Sequence, residues 1–274
     1  MTPSVSVDKI VLEYKDVPLS VFYRFFIRVL LQKYKVRWRT YRKLYCYQFH
    51  VRLEKGEYLH VFYKNFREKE GFLHTLRLET RPEYYKRLSE IWDWLGQKAS
   101  RVDFVSCDMA YDVPFSLENV VMMSRDVRRV LRLYETTRYF GAPRQRKQDG
   151  YCRVYDKKQE LLDRHGIEIE GELTRIEMVY KPVEKVELAQ IRNRPPEQNK
   201  HYYAAVIIDW TAMKQKKVEQ IRNIRDGTNV YTPYIRKGVK EALASQYVLD
   251  FNGLARKEWE NILEPVYMAV LGAA

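Results

Sequence analysis

The chain has 274 residues, of which 46% are hydrophobic and 14% aromatic. This composition excludes a disordered protein and predicts one large folded domain or two modest ones. The formal net charge of +13 at pH 7 favours a polyanionic partner, either nucleic acid or an anionic membrane surface. No apolar run approaches the roughly 20 residues that span a bilayer, and the first residues lack a signal-peptide pattern. We therefore expect a cytoplasmic protein that binds nucleic acid and not a membrane.

Cysteine usage agrees with a reducing compartment. Cys46, Cys107 and Cys152 stand singly in apolar, strand-like stretches, without a Cys-x-x-Cys motif for zinc or redox chemistry. They are expected to be small buried thiols.

Predicted strands and helices alternate along the first hundred residues. Alternating apolar residues predict strands at 7–14, 44–53, 58–66 and 73–79. Apolar residues at helical spacing predict helices at 19–31 and at 83–95, each after a proline. The segment Glu54-Lys-Gly-Glu57 predicts a short hairpin loop, which His50 and His60 flank.

A second set of elements starts near residue 101. Strands are predicted at 101–111, 138–140, 151–156 and 173–180, and a helix at 116–133 with Ser116 as its N-cap. Hairpin-like links between the strands predict an α+β fold, an antiparallel sheet with helices mainly on one face, plus a helical C-terminal element. Residues 190–200 are polar with a double proline and predict a linker or exposed loop, whereas 203–225 and 236–271 are predicted to be mainly helical. The predicted domains are residues 1–181 and 182–274.

Positive charge is concentrated in one stretch of the chain. Residues 125–158 carry eleven Lys and Arg against four acids, which is +7 of the total +13. A loop at 141–150, bounded by glycines, lies in the middle of this stretch. Such residues neutralise phosphates, so nucleic-acid contact is predicted here, and a merely solvated surface is the alternative. The predicted nucleic-acid contacts are Arg144, Arg146, Lys147, Arg138 and Arg175.

Carboxylates occur on the predicted strands near this basic stretch. Strand alternation places Asp108 and Asp112 on one face of their strand, and Glu177 on one face with Arg175. Carboxylate oxygens suit Mg or Mn and not zinc. The predicted metal ligands are Asp108, Glu177, Glu160 and Asp112. The alternative interpretation is a buried salt-bridge network of these carboxylates with Arg153, Arg175 and Lys157.

Three sequence blocks occur in order between residues 100 and 181. They are Cys107-Asp-Met-Ala-Tyr-Asp112, then Thr137-Arg-Tyr-Phe-Gly141 followed by Arg153-Val-Tyr-Asp-Lys-Lys-Gln-Glu160, and Arg175-Ile-Glu177. In order and spacing they resemble the Rep-trans family of rolling-circle plasmid replication initiators, tyrosine nicking-joining enzymes without the two-histidine motif. Two positions depart from the family pattern, because Ser106 stands in place of its arginine and Ala142 in place of its serine.

The resemblance implies a catalytic tyrosine. It implies Mg- or Mn-dependent DNA nicking and strand transfer through a covalent phosphotyrosine at a plasmid origin. Tyr155 is the first choice of nucleophile because it lies in the Arg-x-Tyr-Asp-Lys block, while Tyr151 and Tyr139 stay open. A phenol with a pKa of ~10 needs a base or nearby positive charge to attack, and Arg153 and Lys157 are expected to help.

The resemblance also implies a domain organisation and partners. Residues 1–181 would form a Rep-like nicking domain, and 182–274 would pack on the sheet or assist origin binding. The implied partners are single-stranded or hairpin origin DNA, a host helicase and a second copy of the chain. Two other classes are kept open, namely a non-catalytic basic DNA-binding protein such as a replication or copy-number regulator, and a structural protein that packages nucleic acid.

Overall fold

The computed structural model describes residues 2–38, 44–54, 57–87, 95–227 and 232–272. The strands are β1 Ser4–Pro18, β2 Lys35–Trp38, β3 Tyr45–Glu54, β4 Glu57–Asn65, β5 Leu73–Thr80, β6 Val102–Val113, β7 Val120–Ser124, β8 Leu131–Tyr134, β9 Thr137–Phe140, β10 Cys152–Asp156, β11 Thr174–Tyr180, β12 Val186–Glu187, β13 Tyr202–Val206 and β14 Tyr247–Val248. The helices are α1 Leu19–Arg24, a π-helical turn Phe25–Leu30, α2 Leu31–Lys33, α3 Glu83–Arg87, α4 Lys157–His165, α5 Leu188–Ile191, α6 Gln215–Asp226, α7 Pro233–Leu243 and α8 Phe251–Val270.

The chain divides into two compact units. Unit 1 comprises Met1–Ser6, Met109–Tyr180 and Pro196–Glu258, and unit 2 comprises Val7–Asp108, Lys181–Pro195 and Trp259–Ala274. Each unit is built from segments that are distant in sequence. The division into a nicking domain, 1–181, and a C-terminal region, 182–274, stays a prediction.

Unit 2 contains an antiparallel sheet in the order β2-β3-β4-β5-β1-β6, and β12 also pairs with β6. Aromatic side chains hold α1 on this sheet. The ring of Phe22 stacks on that of Tyr63 with 4.0 Å between centroids, and the hydroxyl of Tyr63 donates to the carbonyl of Val17 at 2.8 Å. In the C-terminal helix, Trp259 is buried and donates to the carbonyl of Ile191 at 2.9 Å.

Unit 1 contains two antiparallel sheets. One follows the order β6-β11-β10-β9-β8, and the other follows β14-β13-β7. Buried aliphatic side chains of β7, β13, α6 and α7 form one core, with Val121, Ala205, Ile221 and Leu243 among its members. This burial of apolar surface is the main force that holds α6 and α7 to the smaller sheet.

The structure confirms the α+β class, the antiparallel sheet and the helical C-terminal element. The predicted pairing of the strands at 44–53 and 58–66 is also confirmed. Its register places His50 opposite His60, with ring centroids 4.0 Å apart. Cys107 and Cys152 are buried free thiols, and Cys46 is half-buried. Residues 55–56 of the predicted hairpin loop 54–57 and residues 88–94 of the predicted helix 83–95 lie outside the described residues. In the described part of the chain, no helix has the length and apolar character needed to cross a membrane.

The predicted helix at 116–133 is wrong. Its residues form β7 and β8, and Ser116 caps no helix. The run Val120-Val-Met-Met-Ser124 is buried at every position, which is the pattern of a strand covered on both faces. The helix predicted from residue 203 is wrong in its first part too, because Tyr202–Val206 is the strand that pairs with β7. The short edge strand β2 was not predicted.

Candidate active site

The register between β10 and β11 brings the predicted catalytic residues together in unit 1. Arg153 pairs with Glu177 and Tyr155 pairs with Arg175. Directly paired residues on neighbouring strands point to the same side of a sheet, so all four side chains share one face. Strand alternation had already placed Arg153 with Tyr155 and Arg175 with Glu177.

Tyr155 and Glu177 form the centre of this cluster. The Tyr155 hydroxyl donates a hydrogen bond to Glu177 Oε1 at 2.5 Å. Arg153 binds the other carboxylate oxygen, and its guanidinium carbon lies 5.7 Å from the centroid of the Tyr155 ring. The Glu177 side chain is only 5% exposed, whereas that of Arg153 is 45% exposed. Arg153 therefore connects a buried carboxylate to solvent.

The environment of Tyr155 favours its neutral form. Burial raises the pKa of the phenol above its ordinary value, and the negative charge and hydrogen bond of Glu177 raise that pKa further. The positive charges of Arg153 and Arg175 oppose this shift but do not reverse it. Attack by Tyr155 thus needs a base that takes its proton, and Glu177 is already in hydrogen-bond contact with that proton.

Arg175 is held in a fixed orientation. Its Nε and one terminal nitrogen donate to the two oxygens of Asp112 at 2.6 and 2.7 Å. A bidentate pair of this kind restricts the guanidinium group to one plane. Asp112 therefore positions Arg175 on the face that carries Tyr155.

Helix α4 begins two residues after Tyr155. The side chain of Asp156 accepts a hydrogen bond from the backbone of Gln159 at 2.9 Å and caps this helix. In its first turn, Lys157 donates to Glu160 at 2.5 Å. Asp156 accordingly has a local structural role, and Lys157 is engaged by Glu160.

Glu160 lies within the electrostatic influence of the same cluster. Burial alone would raise its pKa, but the hydrogen bond from Lys157 and nearby positive charges lower the pKa below its ordinary value. Arg164 and Arg175 are among these charges. Glu160 is therefore an ionised carboxylate near Arg175.

The four carboxylates predicted as metal ligands each form an ion pair. Asp112, Glu160 and Glu177 lie in unit 1 with the partners described above, and Asp108 lies in unit 2 with Lys9 at 2.7 Å. Among the residues that the structure describes, no group of three or more acidic, His or Cys side chains is arranged to hold a metal. Carboxylate oxygens suit Mg or Mn, but here each of these carboxylates already binds a lysine or arginine side chain. The ion pairs of the salt-bridge interpretation are therefore present.

The two other candidate tyrosines differ in exposure. Tyr151 precedes β10 and is buried, with 8% of its surface exposed. Tyr139 lies on β9 directly opposite Arg153 and is half-buried. Tyr139 therefore shares the face of Tyr155, whereas Tyr151 is enclosed in the protein.

The predicted nucleic-acid contacts divide into two groups. Arg144, Arg146 and Lys147 are exposed on the loop between β9 and β10. Arg138 is 6% exposed and donates to the carbonyls of Val120 and Leu117 at 2.8 and 2.9 Å. Burial lowers the pKa of its guanidinium to about 10, and the charge of a neighbouring arginine adds to the shift. In this structure Arg138 joins strands and is not presented to a ligand.

A polar cluster that the sequence did not reveal anchors the end of the loop 141–150, which we call the basic loop. Arg129 donates to the carbonyl of Gly150, which also accepts a 2.6 Å hydrogen bond from Tyr202. Asp149 binds His201 Nε2 at 2.9 Å. These partners lie 21 to 52 residues away in the chain, so no local pattern indicated the contact.

Comparisons with known proteins give limited information. No protein-family model and no curated protein matches the chain. A solved structure of a rolling circle replication initiator protein from Geobacillus stearothermophilus is similar over 89% of this chain and 97% of that one, with 14% sequence identity and a TM-score of 0.42. A likeness of this size carries no functional argument.

Proposed function

We propose that the chain is a DNA nicking-joining enzyme that uses Tyr155 as its nucleophile and initiates rolling-circle replication. The hydrogen bond from the Tyr155 hydroxyl to the buried Glu177 carboxylate carries this proposal. A nucleophile within hydrogen-bond reach of a base, which a third group orients, is the general arrangement of covalent catalysis. Arg153 is the orienting group, because it binds the same carboxylate. The Rep-trans resemblance of the sequence blocks supports the choice of DNA as substrate.

The proposed step is a transesterification. The Tyr155 oxygen attacks the phosphorus of a DNA phosphodiester, and its proton passes to Glu177. The bond between phosphorus and the leaving sugar oxygen breaks, and that oxygen takes up a proton from water. The new phosphotyrosine keeps an ester bond in place of the one broken, so attack by a sugar hydroxyl reverses the step and rejoins a strand without ATP.

Two arginines would stabilise the reacting phosphate. Arg153 is half-exposed beside the Tyr155 ring, and Arg175 is fixed by Asp112 on the same face. Preorganised cations at the position where negative charge develops lower the barrier without reorganisation during the reaction. The requirement for Mg or Mn, the helicase partner and the homodimer stay predictions.

Covalent capture tests the nucleophile. Wild-type protein and the variants Tyr155→Phe and Tyr234→Phe are incubated with a pool of labelled single-stranded oligonucleotides of random sequence, with Mg, with Mn and with a chelator. Tyr234 is an exposed tyrosine on α7 and is the matched control. A denaturing gel should show a protein–DNA adduct for wild type and Tyr234→Phe but none for Tyr155→Phe. An adduct that persists in Tyr155→Phe would refute the assignment.

A non-catalytic DNA-binding protein is the second candidate. It is favoured by the closed ion pairs of Glu177, Asp112 and Glu160, which a purely structural network would also show. Such a protein would bind DNA with a steep salt dependence and would give no adduct and no nicking of supercoiled plasmid under any metal condition. Nicking by the wild-type protein under any of these metal conditions, or its absence under all of them, therefore separates the two candidates.

A further inference from the structure

The sheet β6-β11-β10-β9-β8 of unit 1 carries a row of side chains that extends from the candidate active site to the sheet edge. Arg153 on β10 pairs with Tyr139 on β9, and Tyr139 pairs in turn with Arg132 on β8. Because directly paired residues point to the same side of a sheet, these three side chains share the face that carries Tyr155. We call Arg153, Tyr139 and Arg132 the Arg–Tyr–Arg row.

The row is open to solvent along its length. Arg132 is exposed, the Arg153 side chain is 45% exposed, and Tyr139 is half-buried. Strand β8 has β9 as its one neighbour among the described strands, so the row ends at an edge of the sheet. Strands are about 4.8 Å apart, which places the Cα atoms of the two arginines about 10 Å apart.

Positive charge next to the row comes from the basic loop. The loop leaves β9 after Phe140 and enters β10 at Cys152, and these two residues pair. The next pair away from the loop is Arg153 with Tyr139, and this pair is part of the row. The exposed cations of the loop therefore lie at the same end of the strands as the row. They are Arg144, Arg146 and Lys147.

We infer that the Arg–Tyr–Arg row is a binding track for single-stranded DNA, with Tyr139 as a stacking platform for a base and Arg132 as a phosphate contact. Proteins that bind single strands combine cations along the backbone with aromatic faces on which bases stack. The inference rests on the proposed function, since Tyr155 lies two residues after Arg153 on the same face of β10 and would receive the phosphate that the track binds.

The charge and the ring favour this occupant over two others. A second copy of the chain would bring its own Arg132 and basic loop towards those of the first, and like charges repel. Duplex DNA would find the same phosphate contacts, but its bases are already stacked on one another and leave Tyr139 without a partner. A single strand is the polyanion that uses both the arginines and the ring.

Binding measurements without chemistry test the track. A labelled single-stranded oligonucleotide of mixed sequence and its duplex are titrated by fluorescence anisotropy, with every protein carrying Tyr155→Phe so that no covalent adduct forms. The track variants are Tyr139→Thr, which keeps a residue suited to strands, Tyr139→Phe and Arg132→Gln. The matched controls are Tyr234→Ala for an exposed ring and Lys216→Gln for an exposed charge.

The expected result is specific to the single strand. Tyr139→Thr should weaken its binding roughly tenfold, in line with the loss of one stacked base, while Tyr139→Phe and both controls change it little. Arg132→Gln should weaken it as well and lower the salt slope by about 0.7, which is the value for one single-strand phosphate contact. Duplex binding should be insensitive to Tyr139→Thr.

Several outcomes would overturn the inference. They are unchanged single-strand affinity in Tyr139→Thr, an equal loss for the duplex, or an equal loss in Tyr234→Ala. If Tyr139→Thr also lowers the melting temperature, the test depends on Arg132→Gln, which replaces an exposed side chain. Unchanged single-strand affinity and an unchanged salt slope in Arg132→Gln would then reject the track. A track confirmed in this way without any adduct from wild-type protein would reject the proposed chemistry alone, and an adduct without the track would reject the inference alone.

Discussion

At the residue scale, Glu177 binds both Tyr155 and Arg153, and the proposed chemistry depends on its charge. Glu177→Gln keeps the shape of the side chain but removes the base. General-base catalysis is worth roughly 100- to 10,000-fold, so the rate of adduct formation should fall by about 100-fold or more. The binding of single-stranded DNA should persist, since Arg153 gains freedom to contact phosphate.

A single-turnover gel assay of adduct formation measures this rate. Glu172→Gln is the matched control, because it removes the charge of a half-exposed carboxylate. Glu172 Oε1 lies 3.8 Å from Lys158 Nζ. Equal rates for Glu177→Gln and the control would show that Glu177 is a structural partner of Arg153 and not the base.

Two buried tyrosines of unit 2 provide a test of hydrogen bonding in the core. The hydroxyls of Tyr14 and Tyr63 are on side chains with 0% exposure. Tyr63 donates to Val17, whereas the Tyr14 hydroxyl has no hydrogen-bond partner among the described residues. A buried polar group without a partner costs free energy, and a satisfied one contributes about 1 kcal/mol.

We therefore expect opposite effects from the same substitution. Tyr14→Phe should leave the free energy of unfolding equal or raise it, and Tyr63→Phe should lower it by about 1 kcal/mol. Urea unfolding at neutral pH, followed by circular dichroism, gives both values. A larger loss for Tyr14→Phe than for Tyr63→Phe would show that the Tyr14 hydroxyl is hydrogen-bonded.

The sequence could predict which site residues share a strand face, but not how the strands align. Alternation alone grouped Arg153 with Tyr155 and Arg175 with Glu177. The register that places Arg153 against Glu177 depends on contacts between segments about twenty residues apart, which a single sequence does not encode locally. For this reason Glu177 was assigned to a metal and not to the Tyr155 hydroxyl.

At the element scale, Gly150 determines how the basic loop joins β10. Its φ of +71° lies in the left-handed region, and a Cβ there would lie 2.5 Å from Arg129 Nη1 and 2.6 Å from His201 Cγ. Gly166, at the end of α4, has a similar φ of +65° but open space around it. The two glycines thus separate backbone strain from crowding.

Gly150→Ala should destabilise unit 1 by more than Gly166→Ala, which carries only the backbone cost of about 1 kcal/mol. It should also weaken single-stranded DNA binding, because the anchor of the loop is displaced. Thermal unfolding and anisotropy titration measure the two effects. Equal destabilisation by both substitutions would mean that Arg129 and His201 move aside without cost.

Strand prediction failed where the pairing partner is distant in the chain. The apolar run at 120–124 allows either a helix or a buried strand. Its partner β13 lies about eighty residues later, and only that pairing selects the strand. The hairpins at 45–65 and 131–140 join neighbours. In the second hairpin the strand at 138–140 was predicted, but β8 was assigned to the end of the helix 116–133, because its exposed apolar residues imitate a helical pattern.

At the scale of the whole molecule, the compact units are made of segments that are distant in sequence, and local patterns indicate the fold class but not these units. The α+β class follows from the number and type of local elements. The grouping of 109–180 with 196–258 follows from the sheet β14-β13-β7 and its helices, which no local pattern marks.

Buried tyrosines in both units predict that alkaline pH destabilises the protein. Burial raises the pKa of Tyr14, Tyr63, Tyr85 and Tyr202 above the ordinary value of 10.0. The unfolded chain therefore releases these protons at lower pH than the folded chain. The stability that they contribute is fully present below pH 10 and is lost as the pH rises above it, by about 1.4 kcal/mol per pH unit for each such tyrosine.

Lysines lose charge in the same range, and a matched variant must separate the two effects. Tyr85→Phe removes one of these phenols, so its free energy of unfolding, measured in urea at several pH values from 8 to 11, should fall less steeply above pH 10 than that of wild type. Parallel curves for the two proteins would show that Tyr85 ionises alike in the folded and unfolded states.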